Sequence, residues 1–593
     1  MIFLNSVVER LEQLRTLMRE KNIDIYLIPS SDYHQSEYVG EYFKSREFIS
    51  GFTGSAGTVV VTKDKAGLWT DGRYFIQAEK QLQGSGITLF KMGEEGVPTY
   101  SEYINQNLKN GKTLGFDGKV ISGKTIFDLK NEFGNKDITL EDKYDLVGEI
   151  WKDRPSLPIT EVFILDEKYA GESFKSKLNK LREKMETLKV DKHILTSLDD
   201  IAWLFNIRGR DIKNNPVTLS YSIISKDKVT LYIDSRKINN EVREYLEENG
   251  VEIKDYFEVY EDVKNSENEI VLLDNDKVNY LICNSIKGSI LNRSNPTTLM
   301  KACKNPVELE NLRNSHLKDG VAVTKFMYWL KTNIGKLEMS EISVSDKIEE
   351  YRKEQELYIE PSFNTISAYE ANAAMMHYSA NEKSNSKLYP RNLLLIDSGA
   401  QYLDGTTDIT RTFVLGECSE EIKEHFTLVL KGMISLSKVK FLYGARGTNL
   451  DILARRPVWE RGIDYKCGTG HGVGFLLNVH EGPQGIRFQT NPQVLEEGMT
   501  VTNEPGVYIE GSHGIRLENE LIVKKAEKTV FGQFMEFETM TYAPLDLDGV
   551  IPEMLEKDER EFLNIYHKMV FDKVSPYLTA EEKEWLKEYT REI

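Results

Sequence analysis

Cysteine is scarce in this chain: Cys283, Cys303, Cys418 and Cys467 are scattered through 593 residues with no CxxC pair. That spacing excludes a disulfide framework and a thiolate metal site, and a reducing cytoplasm is the expected setting. Long apolar runs are missing too. No stretch approaches the ~20 residues that span a bilayer, and the opening MIFLNSVVERLEQLR passes straight into a charged amphipathic pattern without a cleavable leader. Basic residues are outnumbered, with 76 Lys+Arg against 94 Asp+Glu and a formal charge of −18. Such a surface repels phosphate backbones, so no nucleic acid and no membrane is expected among its partners. Histidine occurs only nine times, so a histidine in an unusual frame carries weight.

What is present begins with length, which exceeds one hydrophobic core and implies several domains. Ser6 with Glu9 has the form of a capping box, and Val7, Leu11, Leu14 and Met18 follow as one helical stripe. A strand is expected over Ile23 to Ile28. The pattern returns 167 residues later, where Leu178, Leu181 and Met185 echo Leu11, Leu14 and Met18, and Asp191, Ser197 and Asp199 echo Asp24, Ser30 and Asp32. KDKAGLWTDGR (63–73) and KDKVTLYIDSR (226–236) form a second matching block. Two tandem α/β domains of one fold are therefore expected, divided near KDRPSLP (152–158). Pro296 and Pro306 bracket an expected linker, with Pro306 suited to the first turn of a long helix. The residues from about Asp546 onward read as charged helix.

The residues that suggest chemistry lie beyond that linker. The apolar run Leu393-Leu394-Leu395-Ile396 ends on Asp397, and DSGAQYLDGTTDITRT places Asp408 eleven residues on, across a Gly-rich turn. A hairpin would set both acids at one end of a sheet, where two carboxylates need a proton or a cation between them. Either aspartate alone could also cap a turn. GTGHGVGFLLNVHEGP (468–483) frames His471 with glycines, which let backbone crowd an aimed side chain, and places His480 beyond an apolar segment. Glu504 stands in VTNEPGVYIEG, held extended by the following proline. In GIRLENELIV, alternation puts Arg516, Glu518 and Glu520 on one face. Four carboxylates and one imidazole at strand ends and turns are an oxygen-rich set for two hard or borderline divalent ions.

This order of residues resembles the pita-bread metallopeptidases: Asp, Asp eleven on, His in a glycine frame, Glu-Pro-Gly, then Glu fourteen on. Two creatinase-N-terminal-like domains (1–155 and 156–304) ahead of a catalytic domain (305–593) resemble in particular the three-domain Xaa-Pro aminopeptidases of that family. The resemblance implies an α/β (α+β) chain with a pita-bread catalytic domain and a helical C-terminal extension. It implies two divalent ions, with manganese favoured, Asp397 on one, His471 and Glu504 on the other, and Asp408 with Glu518 bridging. His377, in NAAMMHYSA, and His480 match substrate-side histidines, while Arg516 and Tyr508 match residues that organise the metal shell. Without the resemblance, His377 could equally be a core histidine beside Met375 and Met376. The implied reaction is removal of an N-terminal residue that precedes proline, by a hydroxide bridging the two ions, with Glu504 as proton shuttle. A homodimer is implied by the same analogy. Prolidase-type dipeptidases and catalytically inactive pita-bread modules are the alternatives. One departure is Cys467, which stands four residues before His471 where such proteins often carry histidine, and a thiol is no substitute for imidazole as a proton relay near neutral pH.

Overall fold

The structure is a computed structural model that describes the backbone from Ile2 and the side chains from Ser6 to Ile593. It divides into two compact units: Met1–Leu165 with Glu172–Thr297, and Asp166–Gly171 with Thr298–Ile593.

The first unit contains the expected duplication. One sheet is built from β1 (Ile25–Pro29), β2 (Thr58–Thr62), β3 (Ala66–Thr70), β4 (Thr88–Lys91), β5 (Lys112–Phe116) and β6 (Ile138–Glu141), in the order 4-3-2-1-5-6. The second uses β7 (Lys192–Leu195), β8 (Ser220–Ser225), β9 (Val229–Ile233), β10 (Val251–Lys254), β11 (Ile270–Leu273) and β12 (Ser289–Asn292), in the order 10-9-8-7-11-12. The directions match as well, since β1 and β7 each pair antiparallel with the following strand and parallel with β5 and β11. The repeated acids do the same work in both copies. The Asp24 carboxylate accepts from Thr113 N–H at 3.0 Å and that of Asp191 from Ile270 N–H at 2.7 Å, each tying the entry of its first strand to the neighbouring strand. Arg73 donates to Asp71 at 2.8 Å and Arg236 to Asp234 at 2.9 Å. Val7, Leu11, Leu14 and Met18 are buried, as are Leu178, Leu181 and Met185.

Two local expectations need correction. The first helix spans Ile2–Glu20, so Ser6 lies inside it and is not an N-cap; no glycine or proline precedes Ser6 to stop the helix extending backward. The stretch expected as linker after Pro296 forms a helix, Pro296–Ala302. Pro306 does open a long helix, Pro306–Asn333, whose N-cap Asn305 accepts from Val307 and Glu308 while Glu308 answers at Asn305 N–H.

The second unit surrounds short antiparallel pairings with helices. Leu393–Ser398 lies between Ile366–Tyr369 and Ile409–Val414, in a register that pairs Asp397 with Thr410. A four-stranded sheet runs Phe441–Leu442, Gly532–Thr539, Asn519–Thr529, Thr500–Asn503. The helix Glu420–Ser437 buries Phe426 and Met433 in one cluster with Val507, Ile515 and Leu517. This core packs behind the strands whose ends carry the acids. The chain closes with helices Lys557–Val574 and Ala580–Tyr589.

Candidate active site

Each candidate acid lies at a strand end, where pairing delivers it to one place. Asp397 is the second-last residue of its strand, Leu393–Ser398, and Asp408 immediately precedes Ile409–Val414. The loop between them folds as a small hairpin that closes because Gly399 has no side chain; a Cβ there would come within 1.9 Å of the Thr407 carbonyl oxygen. His471 is the middle residue of Gly470–Gly472, paired with Gly485. Its glycine frame has the reason expected, since a Cβ on Gly470 would lie 1.9 Å from the Thr502 carbonyl oxygen. That close approach brings His471 beside the strand that ends before Glu504, and Glu504 N–H donates to Thr469 O at 2.8 Å. Glu518 sits between His513–Arg516 and Asn519–Thr529, its N–H donating to Thr410 O at 3.1 Å.

The side chains converge. His471 Nε2 lies 3.5 Å from Asp408 Oδ2 and 3.4 Å from Glu504 Oε1. Asp408, His471 and Glu518 offer ligand atoms all within 4.8 Å of one another, a group able to hold a metal ion. Thr410 donates to Glu518 at 2.7 Å and Thr502 to Glu504 at 3.1 Å, fixing both carboxylates. Arg516 contacts Asp397 at 2.5 Å and donates to the Tyr508 hydroxyl at 2.7 Å. The His480 ring stands edge-on to His471, with centroids 4.3 Å apart. His377 follows the 3-10 helix Glu370–Ala374, and the preceding residue's carbonyl, Met376 O, accepts from Arg516 Nη2 at 3.4 Å. Cys467 is half-buried, its carbonyl held by Arg455 Nη2 at 2.7 Å.

The electrostatics call for a proton or a cation among the acids. Burial, with repulsion from Glu518, Asp397 and Glu504, drives the Asp408 carboxyl well above the usual carboxylate range. Glu518 is raised in the same way, by burial and then by Glu504 and Asp397. Glu504 is pushed up to about 7 by burial and Asp397, with Arg516 offsetting part of the rise. Asp397 Oδ1 is buried and has no hydrogen-bond partner. A divalent ion would replace the protons these groups otherwise retain and would give that oxygen a partner.

Several residues that build the site escaped the sequence reading. Thr410 and Thr502 are two of them. Arg411 is another, a buried guanidinium that donates to Glu518 O at 2.5 Å and to Asn519 Oδ1, Ala543 O and the Tyr566 hydroxyl at 2.9 Å. Glu481 is a fourth, buried between the ammonium groups of Lys301, at 2.7 Å, and Lys304. Its position beside His480 was the only sequence cue.

Residues 310–525 match metallopeptidase family M24 and 533–593 the C-terminal region of that peptidase family. Residues 10–147 and 153–308 each match the creatinase/prolidase N-terminal domain. Xaa-Pro aminopeptidase 1 of Dictyostelium discoideum is 39% identical over 98% of this chain and 96% of its own length. Aminopeptidase P2 of Arabidopsis thaliana is 41% identical over 99% of this chain and 89% of its own. Among solved structures, an X-prolyl aminopeptidase of Caenorhabditis elegans, described as a cytosolic enzyme with a di-nuclear active site, superposes with a TM-score of 0.95 at 35% identity, covering 99% of this chain and 100% of that one. An Xaa-Pro dipeptidase of Bacillus anthracis matches at a TM-score of 0.50 and 25% identity, covering 63% of this chain and 99% of its own. With two creatinase-type domains ahead of its peptidase region and relatives similar from end to end, this chain belongs to metallopeptidase family M24.

Proposed function

We propose that this chain is a metal-dependent aminopeptidase that releases the N-terminal residue from peptides with proline in second place. The observation that carries the reading is the convergence of buried, mutually repelling carboxylates on one imidazole, with His471 Nε2 3.4 to 3.5 Å from Glu504 and Asp408. In this reading Asp397, Asp408, His471, Glu504 and Glu518 hold two divalent ions. An oxygen-dominated shell with a single imidazole favours manganese over zinc. Bound there, the ions would supply Lewis acidity, making a water nucleophilic near neutral pH and stabilising negative charge on the scissile carbonyl oxygen.

The chain's own groups do the rest. Glu504, oriented by Thr502 with its Oε1 3.4 Å from His471 Nε2, is suited to take a proton and pass it to the leaving proline nitrogen. Arg516 neutralises the second oxygen of Asp397 and holds Tyr508, which keeps the acid cluster in place. His480 and His377 face the substrate, and binding a free α-amine at the acid cluster limits cleavage to the first peptide bond. The dipeptidase alternative is disfavoured by length, since the Bacillus anthracis protein accounts for 63% of this chain. A homodimer and a cytoplasmic location complete the proposal.

The test is a peptide series, Xaa-Pro, Xaa-Pro-Pro and Xaa-Ala-Pro, with added Mn²⁺. Release of the first residue from Xaa-Pro-Pro but not from Xaa-Ala-Pro is expected. Cleavage of the dipeptide alone would favour the prolidase reading, and no cleavage with intact metal binding an inactive module.

A further inference from the structure

A buried carboxylate outside the acid cluster organises the segment that carries His377. Glu341 is the first residue of the helix Glu341–Lys353 and is fully buried. A helix N-terminus favours negative charge there. Its Oε1 accepts from Tyr369 N–H at 2.7 Å and from Asn372 Nδ2 at 3.0 Å. Its Oε2 accepts from the Tyr378 hydroxyl at 2.9 Å and from Ser386 N–H at 2.8 Å. All four donors belong to the single segment 369–386. An ionised carboxylate is acceptor-only with about four sites, so these donors use it fully.

His377 lies inside that segment with an anchor on either side. Met376 is tied through its carbonyl to Arg516, and Tyr378 through its single hydroxyl proton, shared between Glu341 Oε2 at 2.9 Å and Ser384 O at 2.7 Å. The front of the segment is pressed home as well, since a Cβ on Gly514 would come 1.8 Å from Ala373 O. We propose that Glu341, acting through Tyr378, is a positioning residue for the aminopeptidase reaction: it sets the angle at which His377 meets the substrate without touching substrate or metal. The inference rests on the substrate-side reading of His377 given above. Replacing Glu341 by glutamine puts an amide N–H₂ where donors already point, so at least one pair of hydrogen bonds breaks and the turn loosens.

A double-mutant cycle separates this role from a purely structural one. Glu341→Gln, Tyr378→Phe and His377→Ala, alone and combined, are assayed as full-length, Mn²⁺-loaded protein on an Xaa-Pro-Pro peptide, with metal content and Tm measured for each. Misplacing a reacting group by about 1 Å costs up to roughly a hundredfold in rate. We expect Glu341→Gln and Tyr378→Phe to lower kcat by roughly tenfold to a hundredfold with metal content retained, and to have no further effect on the His377→Ala background. If Glu341→Gln does not fold, Tyr378→Phe carries the same comparison. An impaired His377→Ala enzyme in which either change multiplies the loss again would overturn this proposal alone. Normal turnover by His377→Ala would overturn the substrate-side reading and this proposal with it.

Discussion

A buried acid is stable only when something replaces the water it has lost, and at Asp408 that replacement is either a proton or a cation. Asparagine there keeps the shape and removes the charge that would attract an ion. We expect Asp408→Asn to fold, to bind less metal and to lose turnover, as measured by metal analysis beside peptide hydrolysis. The same reasoning gives the metal-free protein a pH dependence. Glu504 is raised from 4.5 to about 7, and Asp408 and Glu518 are raised as well, so the folded state binds protons that the unfolded chain has released. Stability from this source is fully present below the unfolded carboxylate range and is lost as pH rises through the folded values. In chelator, Tm should therefore fall between about pH 4.5 and 7, and added Mn²⁺ should flatten that part of the profile by ionising the acids at all these pH values. A chelated protein with the same profile as the loaded one would contradict the carboxylate account. His377→Ala and His480→Ala should keep metal and Tm while kcat/KM on Xaa-Pro-Pro falls by roughly two orders of magnitude, as for loss of a general acid–base or oxyanion partner.

Elements were legible where one local pattern sufficed. Asp24 and Asp191 recur in sequence because each performs the same strand-tying hydrogen bond, and the Asp-x-Arg pairs at 71–73 and 234–236 recur for a similar reason. Asp397, Asp408, His471 and Glu504 stand out in the sequence because glycines or a proline lie close by, and Glu518 because it falls in an alternating strand pattern. The residues that hold them do not, since their partners are remote: Lys301 meets Glu481 across 180 positions and Glu341 meets Ser386 across 45. Alternation in GIRLENELIV reads Arg516, Glu518 and Glu520 as one face of a single strand, whereas the chain breaks between His513–Arg516 and Asn519–Thr529 and buries all three, which no periodicity could tell. The helix Pro296–Ala302 gains its importance from that kind of distant contact. It delivers Lys301, and with Lys304 just beyond its end it surrounds a glutamate next to His480. Breaking a buried ion pair on one side leaves an uncompensated charge at a cost of about 3–5 kcal/mol. Glu481→Gln should lower the unfolding free energy by that order, and with it the denaturation midpoint, whereas replacing Lys301, Lys304 and Glu481 together by methionine should recover most of the loss. An unchanged midpoint in Glu481→Gln would mean that the two ammonium groups find other partners.

For the whole molecule, the ion triad bears on where the catalytic unit can be cut. Its compact body takes in Thr298–Ile593, so a fragment starting at Asn305 discards both lysines and leaves Glu481 buried without a cation, whereas one starting at Asn295 keeps them and the whole helix Pro296–Ala302. Both fragments lose the contribution of Asp166–Gly171, where Asn305 Nδ2 donates to Ala170 O at 2.9 Å and Asn311 Nδ2 to Lys168 O at 3.0 Å. Those are single neutral hydrogen bonds worth about 1 kcal/mol each, and their loss is common to the two fragments apart from the first residue's amine. The comparison therefore tests residues 295–304, the two lysines together with Ala302 and Cys303, which pack into the core cluster of Met499 and Val501. We expect the Asn295 fragment to bind Mn²⁺ and melt cooperatively, and the Asn305 fragment to melt at a lower temperature and bind Mn²⁺ more weakly, because the unpaired Glu481 adjoins His480 and the strand Glu481–Ile486 that pairs with His471. Calorimetry of both fragments with and without metal decides it: identical melting and identical metal affinity would place the working boundary at residue 305 and leave the triad no part in holding the site together.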